Sequence, residues 1–137
     1  MFSYSFLENP TPIEVDQITA LYRHAGWWTD SRDNPSLVAG IVSGSHCFLV
    51  VRKEKTIVAM GRAISDRASD AYIQDVTVDS EFRGRGIGSQ IVTRLTGRLE
   101  ADGIDWIGLI AERNTHPFYR PMGFTPMVDA IPMLKTS

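Results

Sequence analysis

Apolar residues recur along this chain in two patterns, and the shorter pattern predicts β-strands. Short alternating or continuous apolar runs, rich in β-branched and aromatic side chains, are typical of strands. Five such runs occupy residues 2–8, 46–52, 56–65, 72–78 and 105–110. The polar residues 53–55 join the second and third runs as a hairpin, and residues 66–70 turn the chain before the fourth. Residues 124–128 and 130–134 predict a final strand pair.

Helical spacing of apolar residues marks the segments between these strands. Residues 11–14 (Thr-Pro-Ile-Glu) form a capping box with proline in the first turn, so a helix begins there and ends at Gly26. Further helices are predicted over residues 34–44, 87–99 and 116–122, and residues 27–33 form a loop.

The order of these elements predicts one α/β (α+β) domain over residues 1–137. Strands joined by short turns pair antiparallel. The helix at 87–99 instead connects the strands at 72–78 and 105–110, which makes those two candidates for a parallel, adjacent pair. The chain is therefore predicted to form a mixed, twisted sheet covered by helices.

Composition and charge exclude several classes of protein. The 137 residues are 43% apolar and 22% charged, which is typical of one folded domain. The net charge of −2 is too small for a general nucleic-acid or membrane-binding surface. A single cysteine, Cys47, excludes an internal disulfide and is expected to pack as a small apolar side chain. With no signal peptide or spanning segment visible, we expect a cytoplasmic protein, and no residue spacing predicts a metal site.

The strongest functional signal is Arg83-Gly84-Arg85-Gly86-Ile87-Gly88, which joins the strand at 72–78 to the following helix. The glycines allow a sharp turn and close approach of a ligand to the backbone. The first N–H groups of a helix have no intrahelical partner. Together with the helix dipole and two arginines, they predict an anion site, most naturally for a phosphate or pyrophosphate.

Two common phosphate-binding glycine motifs do not fit this segment. A dinucleotide fingerprint needs a third glycine three positions after the second, where Ser89 stands. A nucleoside-triphosphate loop needs a lysine before its Ser or Thr, and Gly88-Ser89-Gln90 contains none.

Two segments together resemble a known family. Arg83 to Gly88, following a Val-Thr-Val strand, resembles the Arg/Gln-Gly-x-Gly-x-Gly/Ala pyrophosphate loop of the GNAT superfamily of acyl-CoA-dependent N-acetyltransferases. Asn114 and the run from Phe118 to Phe124 resemble the family's closing block, although the interval between Asn114 and Phe118 is one residue shorter than is common. The resemblance covers nearly the whole chain. It implies a GNAT-like, mostly antiparallel sheet of six to seven strands, with helices on both faces and a splayed parallel pair at the cofactor site.

By this resemblance the acyl donor is acetyl-CoA or another short acyl-CoA. The N–H groups from Arg85 to Ser89 would hold its pyrophosphate, and its pantetheine arm would pair with the strand at Val76–Val78. An N–H near Val76 would polarise the thioester carbonyl. The implied cofactor-binding residues are Val76, Thr77, Val78, Arg83, Gly84, Arg85, Gly86, Ile87, Gly88, Ser89 and Asn114. Asn114 could instead be only the N-cap of the helix that follows.

Two residues are candidates for proton transfer. By the resemblance, Tyr119 is the general acid that protonates the departing thiolate. Asp75 attracts notice for a physical reason, because a carboxylate in the middle of a strand is costly unless it is paired. It either has a structural partner or lines the acceptor cleft as general base or amine anchor, and a β-bulge could alter the face it occupies.

The sequence says less about the residues that would bind the acceptor amine. Trp27 and Trp28 lie in a loop that often covers the acceptor site in this family, and we expect one of them to contact substrate. His116 is a further candidate for substrate binding or for the base, and Glu112 is another candidate base.

We therefore predict an N-acetyltransferase that transfers an acetyl group from acetyl-CoA to a primary amine of a small molecule, by direct attack in a ternary complex. A non-catalytic acyl-CoA-binding module and a protein N-acetyltransferase are the alternatives. The final strands leave open a homodimer.

Overall fold

The computed structural model describes residues 1–29 and 34–137 and follows the predicted order of elements as far as residue 122. The strands are β1 (Phe2–Phe6), β2 (Cys47–Lys53), β3 (Thr56–Ser65), β4 (Asp70–Val78) and β5 (Trp106–Leu109). The helices are α1 (Pro12–His24), α2 (Pro35–Gly44), α3 (Ile87–Ala101) and the single-turn α4 (His116–Tyr119), with 3₁₀ turns at Ser80–Phe82 and Arg120–Met122. Part of the loop predicted over residues 27–33, namely 30–33, lies outside the described residues.

One mixed sheet has the strand order β1-β2-β3-β4-β5. The first four strands pair antiparallel, and β4 pairs parallel with β5. The parallel register runs only from Asp70 opposite Trp106 to Ile73 opposite Leu109. Beyond Ile73, β4 continues to Val78 without pairing to β5, so the two strands separate. The predicted mixed α/β fold, with a splayed parallel pair, is confirmed.

The number of strands is smaller than the six to seven predicted. The described residues form a five-stranded sheet, and residues 124–134 contribute no strand to it. Phe124 packs against the core, but the later large apolar side chains remain in solvent: Val128, Ile131, Met133 and Leu134 are between 82% and 91% exposed. A short strand pair is not stable without a packed face, and this chain's own core does not offer one to these residues.

Apolar cores lie on both faces of the sheet. On one face, the buried side of α3 packs against β2, β3 and β4. On the other, α1 and α2 pack against β2 and β3. Both faces of β2 and β3 are therefore covered, which explains why these strands read as nearly continuous apolar runs rather than as alternating ones.

Local capping explains where the first two helices begin. Thr11 Oγ1 accepts the Glu14 N–H at 3.2 Å, and Glu14 Oε1 accepts the Thr11 N–H at 2.8 Å, so the predicted capping box is present. At the start of α2, Asn34 Oδ1 accepts the Leu37 N–H at 3.1 Å. A cap of this kind stabilises a helix by about 1 kcal/mol.

Within the described parts of the chain, none of the helices combines the length and the apolar character that crossing a bilayer requires.

Candidate functional site

A tight turn carries the glycine-rich segment from β4 into α3. Asp79 begins the turn, where its Oδ1 accepts the Glu81 N–H at 3.0 Å. Gly84 and Gly86 adopt φ angles of +77° and +78°. These angles fall in the left-handed region, which is costly for any residue with a Cβ. The backbone of this turn therefore favours glycine at both positions.

The first turn of α3 presents backbone donors with no protein partner. Gly86 is the N-cap and supplies no side-chain cap. The Gln90 N–H donates to the Gly86 carbonyl at 3.1 Å. The N–H groups of Ile87, Gly88 and Ser89 precede that bond and, within the described residues, have no capping side chain. Free donors at the positive end of a 15-residue helix are suited to bind an anion such as a pyrophosphate.

The two arginines of the segment are held differently. Arg83 Nε donates to the Val78 carbonyl at 3.1 Å, which fixes this side chain against the end of β4. The Arg85 guanidinium lies over the Phe82 ring, 5.6 Å from its centroid. Arg83 lines the two cavities described below, and Arg85 lines neither.

A cavity of about 670 Å³ opens beside the start of α3. All the predicted cofactor-binding residues except Arg85 line it. Phe118 and Tyr119, from the second segment singled out in the sequence, close its other side. The structure therefore brings together two segments separated by about thirty residues of sequence, as their joint assignment to one site requires.

Gly88 has a packing role that the sequence did not reveal. A Cβ built on it would lie 3.3 Å from Phe118 Cζ and 3.9 Å from Val78 Cγ2. The Phe118 ring can therefore approach α3 closely because position 88 has no side chain. This contact ties the second segment to the start of the helix.

A smaller cavity of about 290 Å³ lies where β4 and β5 separate. It shares Val76, Thr77, Arg83 and Tyr119 with the larger cavity. Trp27 and Asp75 line only this smaller space. We call the larger space the cofactor cavity and the smaller one the acceptor cavity.

Asp75 lies in a β-bulge beside the acceptor cavity. In the register of β3 with β4, Met60 is opposite Thr77 and Arg62 is opposite Gln74, so β4 has one extra residue there. Asp75 has φ +60°, an unusual value for a residue other than glycine. The bulge redirects β4 just before Val76, where the strand leaves β5.

The carboxylate of Asp75 is held by two partners. Its Oδ2 accepts the Arg62 Nε–H at 2.7 Å and the Tyr22 hydroxyl at 2.8 Å. Burial and the Asp75 charge raise the pKa of Tyr22 well above its ordinary value, so the phenol stays protonated and donates. Asp75 thus has the structural partners that one alternative predicted, and it also lines the acceptor cavity. Its role as general base or amine anchor stays a prediction.

The two tryptophans occupy different positions. Trp28 stacks on Tyr22 at 4.2 Å between ring centroids, with the planes 6° apart. Trp27 lies at a tilt to Tyr22 at 6.0 Å and lines the acceptor cavity. Of the predicted pair, Trp27 and not Trp28 lines this cavity.

Tyr119 stands where the two cavities meet. Burial, and then the charge of Glu112, raise the pKa of its phenol. Its hydroxyl has no hydrogen-bond partner in residues 1–29 and 34–137, and its ring packs edge-on against Phe118 and Phe124. A phenol held protonated and free to donate is suited to act as a general acid.

Asn114 and His116 differ in their placement. Asn114 lines the cofactor cavity with φ +61°. The N-cap of α4 is Thr115, so Asn114 does not cap that helix. His116 lines neither the cofactor nor the acceptor cavity; it lies in a third groove along β5. The structure does not bring His116 to the predicted acceptor side.

Sequence reasoning missed Arg62 and Tyr22. Tyr22 lies on the buried face of α1 and reads as a core aromatic residue. Arg62 is the one charged residue within the apolar run of β3, which was a usable signal, because a charge inside a covered strand requires a partner. Among the described residues no cluster of His, Cys, Asp or Glu could hold a metal ion.

Comparison with known proteins identifies the family. The family model for the acetyltransferase (GNAT) domain matches residues 44–126, which include the glycine-rich turn and the segment around Tyr119. The chain belongs to the GNAT family. Its fold agrees with that of a solved GNAT-family acetyltransferase from Streptococcus pneumoniae, with a TM-score of 0.82 at 22% identity, over 100% of this chain and 98% of the other.

Curated GNAT relatives differ in what their names say they act on. "GCN5-related N-acetyltransferase 1, chloroplastic" of Arabidopsis thaliana is 32% identical over 87% of this chain and 60% of its own length. A histone acetyltransferase of Glycine max and a serotonin N-acetyltransferase of rice are each 38% identical, over 53% and 54% of this chain and 31% and 37% of their own lengths. This GNAT chain thus spans less than two thirds of the length of each of these relatives.

Proposed function

We propose that this protein is an N-acetyltransferase that uses acetyl-CoA to acetylate a primary amine of a small molecule, within one ternary complex. The observation that carries the proposal is the meeting of two cavities at Tyr119 and the β4 bulge. One cavity has an anion site at a helix start, and the other has carboxylates beside an aromatic wall. A donor and an acceptor can therefore lie side by side.

The cofactor cavity fits a coenzyme A donor. The free N–H groups of Ile87, Gly88 and Ser89 would hold the pyrophosphate, with Arg83 beside them. Beyond Ile73 the edge of β4 that faces β5 has no strand partner within the described chain, so its backbone groups are available to an extended arm. When bound, acetyl-CoA supplies an acetyl group activated as a thioester.

Two groups of the chain would stabilise the charges that develop during transfer. The bulge at Asp75 directs the backbone of Val76 at the junction of the cavities, where its N–H would donate to the thioester carbonyl oxygen. Tyr119 would donate its proton to the departing sulfur. Because burial and Glu112 raise the Tyr119 pKa, the phenol is protonated at neutral pH and holds the proton that this step needs.

Asp75 and Glu112 would have different roles toward the acceptor amine: Asp75 would anchor it and Glu112 would accept its proton. Arg62 and Tyr22 both occupy Oδ2 of Asp75, which leaves Oδ1 to anchor the amine. Glu112 lines the same cavity, is exposed, and has no hydrogen-bond partner for its carboxylate in the described chain. Glu112 is therefore the better placed carboxylate to take the amine proton, directly or through water.

The shape of the acceptor cavity favours a small molecule over a protein. Its volume of about 290 Å³ is close to the lower end of the range for small-molecule sites. The Trp27 side chain borders it. The histone acetyltransferase among the relatives keeps protein acetylation as the second candidate, and the serotonin N-acetyltransferase gives an aromatic amine as a first compound to assay.

Replacing Tyr119 tests the catalytic part of the proposal. In Tyr119→Phe the ring packing remains and the proton donor is lost, so kcat should fall about 100-fold, the lower end for general acid catalysis. The KM for acetyl-CoA should change less than threefold. Thiol release from acetyl-CoA, measured across a panel of primary amines and lysine peptides, provides both constants.

The same assay separates the alternatives. Thiol release with peptides but with no small amine would assign the chain to protein acetylation. Saturable acetyl-CoA binding without release from any acceptor would support a non-catalytic binding module. Unchanged kcat in Tyr119→Phe would remove this residue from the mechanism.

A further inference from the structure

The loop that follows β5 makes a tight turn at the acceptor cavity. The Glu112 carbonyl accepts the Thr115 N–H at 3.1 Å and the Thr115 hydroxyl at 2.7 Å. The two residues between them, Arg113 and Asn114, have φ angles of +54° and +61°. Two successive positive φ angles within such a backbone hydrogen bond are typical of a type I′ turn. The turn fixes the place at which the chain leaves β5.

Arginine is an unusual residue within such a turn. Positive φ angles favour Gly, Asn and Asp, and Asn114 fits that preference. Arg113 does not, because its long side chain gains no local hydrogen bond that offsets the crowding of its Cβ. Backbone strain of this kind is concentrated at functional sites. The strain at Arg113 therefore points to a role for its side chain.

Arg113 lines the acceptor cavity and does not line the cofactor cavity. Its side chain is exposed, and within residues 1–29 and 34–137 the guanidinium has no hydrogen bond or ion pair. Glu112 lines the same cavity, and in the described chain no ion pair joins its carboxylate to the guanidinium beside it in sequence. The cavity thus presents a free carboxylate and a free guanidinium to a ligand.

The other charged side chains that line this cavity are already held. Asp75 Oδ2 accepts the Arg62 Nε–H at 2.7 Å. Arg83 Nε donates to the Val78 carbonyl at 3.1 Å, and this arginine also borders the cofactor cavity, where an anionic donor would attract it. A ligand of the acceptor cavity would therefore meet its free charges at Glu112 and Arg113, in the part of the chain that the structure describes.

We propose that the acceptor is an amino acid, a primary amine that carries a carboxylate, and that Arg113 binds this carboxylate. The assignment rests on the acetyl transfer proposed for the chain. A guanidinium binds a carboxylate through two parallel hydrogen bonds, which orient the ligand as well as hold it. The amine would then lie between Asp75 and Glu112.

Arg113 would also act against amines that have no acidic group. A simple amine is protonated at neutral pH and would meet a like charge at Arg113, whereas an amino acid brings an opposite charge. Specificity of this kind combines attraction of one ligand with repulsion of its competitor. The small cavity, about 290 Å³, favours a carboxylate over the bulkier phosphate monoester.

Matched acceptors test the assignment on the full chain. Thiol release from acetyl-CoA is measured for tryptophan with tryptamine, and for β-alanine with ethylamine. In each pair the first compound adds a carboxylate to the second. We expect kcat/KM to be about tenfold or more higher for the acidic member of at least one pair, as a hydrogen bond to a charged group provides. Phosphoethanolamine with ethanolamine is the phosphate arm of the same assay.

Two arginine variants locate the preference. Arg113→Gln removes the charge, and the higher kcat/KM of the acidic member should disappear. Arg120→Gln is the matched control, because Arg120 is also exposed, follows in the same segment and lines neither the cofactor nor the acceptor cavity. It should keep the preference unchanged. Comparison between variants also removes the effect of the different amine pKa values within a pair.

A glycine variant separates the charge from the backbone strain. Arg113→Gly removes the Cβ that is crowded at φ +54°, so its Tm should rise while the preference for the acidic acceptor is lost. This variant keeps the test sharp if Arg113→Gln folds poorly.

Each outcome has a separate meaning. Equal kcat/KM within both carboxylate pairs of the wild type would overturn the assignment and leave acetyl transfer intact. A preference that survives both Arg113→Gln and Arg113→Gly would overturn the role of Arg113. A preference for phosphoethanolamine alone would overturn the choice of a carboxylate. Thiol release with none of these compounds, and with none of the wider panel of amines and peptides, would overturn acetyl transfer itself and the assignment with it.

Discussion

Asp75 shows how one residue can serve both structure and site. Its left-handed backbone forms the bulge that turns Val76 toward the junction of the cavities, and its carboxylate joins β3 to α1 through Arg62 and Tyr22. The Arg62 and Asp75 side chains are only 17% and 23% exposed. An ion pair this deep is costly to break from one side, because the remaining charge loses its partner.

Two substitutions at Asp75 separate its hydrogen bonds from its charge. Asp75→Asn keeps an oxygen acceptor and a residue that tolerates positive φ, so we expect a loss of about 1–2 kcal/mol in the free energy of unfolding. Asp75→Ala leaves both Arg62 and Tyr22 without an acceptor and places a less tolerant residue at φ +60°, for a loss of about 3–4 kcal/mol. Urea unfolding at pH 7, followed by tryptophan fluorescence, measures both. Equal losses would mean that the acceptor oxygen contributes nothing.

At the scale of elements, the start of α3 provides the free backbone donors that the proposed anion site needs. The helix begins without a side-chain cap at a left-handed glycine, and its first donors face the cofactor cavity. The splay of β4 from β5 then opens the strand edge beside these donors. Neither element alone would provide both an anion site and a free strand edge.

A matched pair of glycines within this region tests that account. Gly86→Ala should lower the free energy of unfolding by about 1–2 kcal/mol, because alanine is disfavoured at φ +78°. It should also raise the KM for acetyl-CoA severalfold as the helix start reorients. Gly97→Ala, at an exposed position within α3, should stabilise the protein by about 0.5–1 kcal/mol and leave that KM unchanged.

Neither added Cβ has a heavy atom within 4 Å, so any difference between the two variants is conformational rather than steric. Urea unfolding and initial rates measure the two effects. An unchanged KM in Gly86→Ala would show that the turn tolerates a different backbone.

At the scale of the whole molecule, the sheet separates two apolar cores. The central strands β2 and β3 are covered on both faces, while β5 has an open edge. Opening the central strands requires both helical layers to separate. Cys47, at the start of β2, lies inside one of these cores with 6% exposure.

The thiol of Cys47 reports on this packing. Burial raises its pKa to about 11, so at pH 8 only about one thiol in a thousand is ionised. We expect an aromatic disulfide reagent to label the native protein far more slowly than the chain in concentrated urea. The Cys47→Ala variant should give no signal in either condition. Equally fast labelling of the native protein would contradict a closed core.

The sequence predicted most of the fold because its signals are local. The capping box at Thr11, the hairpin at residues 53–55 and the glycines of the turn each depend on neighbours in the chain. The final strand pair was predicted by the same local rule and is absent from the described sheet, because strands also need a partner and a packed face that no local pattern supplies.

The features of the candidate site also fall into those that follow from local sequence and those that depend on tertiary contacts. The sequence by itself determined the glycine turn and the helix start on which the predicted anion site at residues 83–89 depends, since both are properties of contiguous residues. Only the tertiary structure decided that Asp75 is held by Arg62 and Tyr22, that Trp27 rather than Trp28 borders the acceptor cavity, and that His116 lies in another groove. These facts depend on how α1, β3 and β5 pack, and contacts between residues distant in sequence arise only when the chain folds.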